Sequence, residues 1–166
     1  MHLLEISVKS RGVVLNYIKK FIDIKDENIL NYGNKAINIS KLVQNNFRIP
    51  DGLVLSSAAF NDFCFDNGIS ITAENIQNLI NEGAYHDKIN ENITCIWNNI
   101  SSNYGKESII IRSSAIGEDS PGHSFAGIYE SILNIRSFDD MKTAIKKCWA
   151  SYYSEQANIY RSRKKK

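Results

Sequence analysis

The sequence predicts an α/β or α+β domain in which a small mixed sheet is covered by helices. Three observations point there. Segments with helical spacing outnumber β-branched runs, and the runs are separated by helices. The chain has 166 residues, enough for one hydrophobic core. Its composition, 43% hydrophobic and 23% charged, is that of an ordinary globular chain.

The elements follow in order. Val13, Val14, Tyr17, Ile18, Phe21 and Ile22 recur at helical spacing, with Lys19 and Lys20 on another face. Asn31-Tyr32-Gly33-Asn34 is a turn signal, and Ala36, Ile39, Leu42 and Val43 then mark about three helical turns. Asn45 and Asn46 end that helix. Pro50 and Gly52 lead through a loop into a short strand, Leu53-Val54-Leu55. Ser56 or Ser57 caps the next helix, whose apolar face is Phe60, Phe63 and Cys64 and whose left-handed stop is Gly68.

Ile76, Leu79 and Ile80 mark a short helix with Thr72 as its cap. Ile89, Ile93, Ile96, Trp97 and Ile100 mark a longer one. Ile109 to Ile111 is too short for a globular helix and is β-branched, so it reads as a buried strand. Gly127 to Ile135 alternates loosely and reads as another. Ser137 with Asp140 resembles a capping box. Met141, Ala144, Ile145, Cys148, Trp149 and Tyr152 then carry one long C-terminal helix.

The net charge of +2 gives no general case for nucleic acid or membrane. The basic run Arg161 to Lys166 reads as a solvated helix end. Cys64, Cys95 and Cys148 are far apart, odd in number and without metal-type spacing, which fits reduced, mostly buried thiols. No stretch approaches the roughly 20 apolar residues that span a bilayer, and no apolar run precedes a small-residue cleavage site. A cytoplasmic setting is expected.

Chemistry concentrates in Ile109 to Gly127, reading IIIRSSAIGEDSPGHSFAG. A buried strand delivers one arginine into a loop of small residues. Arg112 offers a planar fork of donors that fits phosphate oxygens. Glycines and small residues let backbone N–H groups approach an anion. Taken alone, an arginine at a strand end is commonly an ion-pair partner, and Glu118 or Asp119 can be its carboxylate. Those two can also hold a metal or cap a helix, and an isolated Glu-Asp pair is most often solvated or structural. Ser113, Ser114 and Ser124 can donate to phosphate oxygens, but nothing marks any of them as a nucleophile.

Gly33-Asn34-Lys35 is the second candidate. A lysine in the first turn of a helix, just after glycine, adds a full charge to the free N–H groups and partial charge of the helix start. The GxxxxGK[ST] spacing of a Walker loop is absent. Trp149, Tyr152 and Tyr153 have helical spacing and read as core and helix-face residues instead of base-stacking ones.

Five segments occur in register: Gly33-Asn34-Lys35-Ala36-x-Asn38-Ile39, Ile49-Pro50-Asp51-Gly52-Leu53-Val54-Leu55, Arg112-Ser113-Ser114-Ala115-x-x-Glu118-Asp119, Ser124-Phe125-Ala126-Gly127 and Cys148-Trp149-Ala150-Ser151. Tyr160-Arg161 follows. The series closely resembles the N-terminal ATP-binding region of the phosphoenolpyruvate synthase and pyruvate phosphate dikinase family, which rifampicin phosphotransferases share. The resemblance runs from about residue 31 to 162.

The resemblance implies a partial ATP-grasp fold. Lys35 and Arg112 match positions that contact ATP phosphates, and Ser124, Phe125, Ala126 and Gly127 match a loop that covers them. Gly33, Ser113, Glu118 and Asp119 support the site. It further implies ATP as ligand with Mg2+, and phosphoryl transfer to a mobile histidine and then to an acceptor.

Residues 1–30 stand as an N-terminal extension, and 31–166 as the first part of the ATP-binding domain. His123 stands where a small residue is common. None of the three histidines matches a phosphohistidine motif. The second ATP-grasp half, with its adenine contacts and magnesium ligands, and the phosphohistidine domain are expected elsewhere, either in a partner or in further chain. The expected catalytic set within this chain is therefore empty. The alternative is a non-catalytic module that binds or regulates a partner supplying the other half.

Overall fold

The computed structural model describes residues 17–26, 29–50, 52–104, 109–115 and 129–163. The order is β1 (Ile18–Lys20), a 3-10 turn (Phe21–Asp23), α1 (Ile29–Gln44), β2 (Leu53–Leu55), α2 (Ser57–Asp66), α3 (Ile76–Glu82) and α4 (Asp87–Tyr104). Then come β3 (Ile109–Arg112), β4 (Ser131–Ile135), α5 (Phe138–Ser151) and α6 (Glu155–Arg163). This is the expected α+β composition.

Among the described residues the strands form two antiparallel ribbons, β1–β2 and β3–β4, in place of one mixed sheet. Both ribbons pack on one core: Ile18, Leu53 and Leu55 from the first, and Ile109, Ile111, Ile132 and Ile135 from the second. Helical side chains such as Ala59, Phe63, Ile80, Ile89 and Ile93 fill that core. Apolar burial, not a continuous strand ladder, therefore joins the ribbons.

In the described part of the N-terminal segment, Ile18–Lys20 is a strand and Phe21–Asp23 a 3-10 turn, in place of the expected helix. Val13 and Val14 lie outside the described residues. Ile18, Lys19 and Lys20 pair with Leu55, Val54 and Leu53. The Tyr17 carbonyl accepts from the Ser56 N–H at 2.7 Å. A distant partner for the backbone overrides the local period, and β-branched Ile18 suits a strand.

In α1 the buried face is Tyr32, Ala36, Ile37 and Ser40, while Leu42 is exposed. The face is rotated from the Ile39–Leu42–Val43 stripe because a hydroxyl belongs to it. Ser40 Oγ donates to the Ile24 carbonyl at 2.7 Å, and Gln44 Nε2 donates to the same oxygen at 3.0 Å. A buried polar group with a partner is tolerated where an unpaired one is costly.

The remaining caps divide. Gly68 has φ +63° and ends α2 as expected. Ser137 Oγ accepts from the Asp140 N–H at 3.0 Å, the forward half of a capping box. Ser56 occupies the N-cap of α2, yet its side chain caps nothing. Ser57 Oγ donates instead to the Leu30 carbonyl. Asn75, not Thr72, precedes α3, because Thr72 Oγ1 is paired with Ser70 Oγ at 2.9 Å.

The helix expected over Met141–Tyr152 is α5, and a separate helix, α6, follows it after a break. Ser151 Oγ donates to the Cys148 carbonyl at 2.7 Å, and Ser154 Oγ accepts from the Ala157 N–H at 3.2 Å. Two hydroxyls compete with the helical ladder at the Tyr152–Ser154 break, and the second restarts the helix as a cap.

Phe63 is fully buried between Tyr85 and Trp149, with ring centroids 5.5 and 5.2 Å away. Trp149 also meets Phe60 at 5.4 Å, so it is a core residue as its helical spacing implies. Phe63→Ala should cost about 3–5 kcal/mol of unfolding free energy, read as a lower urea midpoint with an unchanged slope.

Candidate phosphate-binding site

Gly33 interrupts α1 with φ +75° and ψ 167°, a conformation essentially confined to glycine. The break lets the chain leave one helical turn and start a second helical stretch at Asn34. It also lets another backbone come close. A Cβ at Gly33 would lie 1.9 Å from the Ser114 carbonyl oxygen.

That close approach is held by four hydrogen bonds across 78 to 82 residues of chain. The Ala36 N–H donates to Ser114 Oγ at 2.9 Å, Ser114 Oγ donates to the Tyr32 carbonyl at 2.6 Å, and Lys35 Nζ donates to the Ser113 carbonyl at 3.3 Å. The Asn34 N–H reaches the Ala115 carbonyl at 3.4 Å. Ser114 therefore caps the helical stretch in trans, a role normally taken by the residue just before a helix. The Asn34 and Ala36 N–H groups, expected to face an anion, are spent on the segment after β3.

Arg112 ends β3, opposite Ser131 of β4, and its side chain is exposed. Among the described residues no carboxylate forms an ion pair with it. The ladder is irregular between Ile109 and Ile111, where Asn134 takes φ +59° in the facing strand. A bulge there adds a residue on β4 and turns the ribbon, and asparagine tolerates this conformation better than most residues. The Ser113 N–H then reaches the Glu130 carbonyl at 3.5 Å. The Ser113 hydroxyl oxygen is buried and finds no hydrogen-bond partner among the described residues.

Helix α5 lies beneath this junction. Cys148 Sγ is 3.8 Å from the Ile111 carbonyl and 3.6 Å from the Glu130 carbonyl. Burial first, then the Glu130 carboxylate, pushes its thiol up to about 12, while the Lys35 ammonium pulls the other way. The Lys35 charge, Glu130 and the Cys148 floor thus share one electrostatic neighbourhood. All three cysteines are free thiols, Cys64 and Cys148 buried and Cys95 half-buried.

The structure therefore brings together Gly33, Lys35, Arg112 and Ser113 around the end of β3. Glu118, Asp119, His123, Ser124, Phe125, Ala126 and Gly127 lie outside the described residues. From the sequence Ser114 is one of three candidate phosphate donors; its bonds to the Gly33 turn arise only in the folded chain. The signal for them is that two adjacent serines on an extended segment face opposite ways. Tyr129 carries no such signal.

A glycine–lysine turn docked on a strand that ends in arginine brings two cationic side chains, of the kind that suit phosphate groups, to one end of a helix-rich α+β domain. Comparison with known proteins identifies the class. Residues 29–166 match the family model "Pyruvate phosphate dikinase, AMP/ATP-binding domain", and the chain belongs to that family.

Among its relatives, an uncharacterized phosphotransferase of Bacillus subtilis, YvkC, is 33% identical over 131 residues, covering 79% of this chain and 16% of that protein. A probable phosphoenolpyruvate synthase of Methanothermobacter thermautotrophicus is 28% identical over 169 residues, covering 89% and 25%. The phosphoenolpyruvate synthase of Neisseria meningitidis is 28% identical over 174 residues, covering 90% and 22%. The chain thus spans between 16% and 25% of the length of these relatives. Among the described residues no helix is long and apolar enough to cross a membrane.

Two outcomes check this geometry. Gly33→Ala should destabilise the fold by about 1–3 kcal/mol in urea unfolding, and Ser114→Ala by about 1–2 kcal/mol, because the first forces apart the backbones that the second leaves unbonded. Cys148 should be the slowest of the three thiols to react with a disulfide reagent in the native protein. Its raised pKa contributes stability that is fully present below the unfolded value of 9.0 and is lost as pH rises through about 12. Native thiol labelling from pH 7 to 10, read by peptide mass, tests that order.

Proposed function

We propose that this chain is the phosphate-holding part of the ATP-binding domain of a phosphoenolpyruvate synthase-like phosphotransferase. The observation that carries this reading is the docking of the Gly33 turn onto Ser113–Ala115. It sets the Lys35 ammonium beside the end of the strand that delivers Arg112. Two cations from segments 77 residues apart in number, Lys35 and Arg112, would then face one polyanion. Ser124 to Gly127 would cover it with backbone N–H groups, supported by Glu118 and Asp119.

In this reading the domain is the first part of an ATP-grasp fold comprising residues 31–166. Residues 1–30 are an N-terminal extension, part of which, β1, is built into the core. The family model begins at residue 29, close to this boundary. Mg2+ enters with the nucleotide, its protein ligands lying mainly in the portion of the relatives' length that this chain does not cover.

The phosphoryl group would pass to a histidine in the portion of the relatives' length that this chain does not cover, and from there to an acceptor. A chain or domain supplying that portion is the partner the reading calls for. Free thiols at Cys64, Cys95 and Cys148 fit a cytoplasmic setting.

Positioning and charge neutralisation carry phosphoryl transfer, so removing either cation should be felt mainly in phosphate binding. Lys35→Ala and Arg112→Ala should each weaken Mg-ATP binding by about tenfold, with AMP binding less affected. Isothermal titration of the wild-type and variant proteins with Mg-ATP and AMP reads this. Equal affinities for wild type and both variants would sink the site.

A further inference from the structure

Tyr160-Arg161 follows the five segments of the family resemblance and has no part in the phosphate site proposed above. After the Tyr152–Ser154 break, α6 turns so that Ala157, fully buried, and Tyr160 pack with Ala115 and Tyr129. Tyr129 is 8% exposed and leads directly into β4.

Arg161 Nη1 donates to the Tyr129 hydroxyl at 3.4 Å. The guanidinium carbon lies 4.0 Å from the centre of the Tyr152 ring. Tyr152 is itself stacked on Tyr129, with centroids 5.8 Å apart and planes 15° from parallel. Arg161 Nη2 donates to Asn158 Oδ1, which fixes the plane of the guanidinium. One planar cation thus bridges two stacked rings.

The contacts continue towards the site. The Glu130 N–H donates to Ser151 Oγ at 3.3 Å. The Glu130 carbonyl accepts from the Ser113 N–H, and the Ser113 carbonyl accepts from Lys35 Nζ at 3.3 Å. A packed series therefore runs from α6 through Tyr129, Glu130 and Ser113 to Lys35.

We propose that Arg161 is a positioning residue for nucleotide binding. With Tyr129 and Tyr152 it fixes the start of β4, and through Glu130 it sets the backbone of Ser113 on which Lys35 rests. It acts through protein contacts and does not touch the nucleotide. Stacking and a forked donor geometry are properties of guanidinium that an ammonium lacks. The proposal rests on the phosphate role of Lys35 and Arg112.

The test uses the full chain with Arg161→Ala, Arg161→Lys and Tyr129→Phe. Two quantities are measured: amide hydrogen exchange at Ser113 and Glu130, with the amides of α4 as reference, and affinity for Mg-ATP. Arg161→Ala should speed exchange at Ser113 and Glu130 and weaken Mg-ATP binding, each by about five- to tenfold, with α4 unchanged. Arg161→Lys should fail to restore either, and Tyr129→Phe should show a smaller effect of the same kind.

Unchanged exchange at Ser113 and Glu130 in Arg161→Ala overturns the proposal. So does full rescue by lysine, which would make Arg161 a simple positive charge, and so does equal loosening of α4, which would make it a general stability residue. Lys35→Ala, measured alongside, separates the two levels. An unchanged affinity there removes the phosphate reading, while exchange at Ser113 and Glu130 still decides the positioning role.

Discussion

A backbone oxygen, Ser114 O, occupies the place where any residue other than glycine would put its Cβ at position 33. That steric condition organises the rest of the candidate site. It requires the left-handed break in α1, and the break aligns Asn34, Lys35 and Ala36 with the segment after β3. The Ser114 hydroxyl satisfies the junction by accepting from Ala36 and donating to Tyr32. A hydroxyl can do both at once, whereas a carboxylate could only accept. Lys35 and Arg112 come from opposite sides of this junction, so their spacing depends on it more than on either element alone.

The core explains why such a junction can be held by so few bonds. Among the described residues neither ribbon has more than two strands, and two-stranded ribbons are marginal by themselves. Their inner faces gain stability from helices α2 to α5, where Phe63, Ile80, Ile89, Ile93 and Met141 are buried almost completely. Helix α5 belongs to both layers. Met141, Ala144 and Ile145 lie in the core, Trp149 packs against Phe63, and Cys148 faces the carbonyls of Ile111 and Glu130. Packing set by aromatic residues is thereby passed directly to the ends of β3 and β4.

Membership in the pyruvate phosphate dikinase AMP/ATP-binding domain family fits this arrangement. ATP presents several negative charges along a flexible chain. A site for it gains from cations fixed on separate rigid elements, because the ordering cost is met during folding and not on binding. The Lys35 ammonium donates to the Ser113 carbonyl, while Arg112 stands exposed at a strand end. The two cations therefore differ in how much reach each retains.

Features whose cause lies within a few residues were legible in the sequence. The Gly68 stop, the Ser137 cap, the spacing of α4 and the β-branched run of β3 all appear where local chemistry puts them. Gly33, Lys35, Arg112 and Ser113 were also legible, as a glycine turn with a cation and a strand-end arginine followed by small residues. Ser114 as a cap in trans was not, because its partners Tyr32 and Ala36 are about eighty residues away in sequence. The strand at Ile18–Lys20 and the break at Tyr152–Ser154 were missed for related reasons. In the first, pairing with β2 outweighs a helical period. In the second, serine hydroxyls that also look helical in pattern take backbone partners. By itself the sequence determined the local elements and the chemical character of the candidate residues, since propensity and capping act over one or two turns. The tertiary structure alone decided which of those residues meet, since close approach, burial and hydrogen bonding between distant segments exist only once the core has formed.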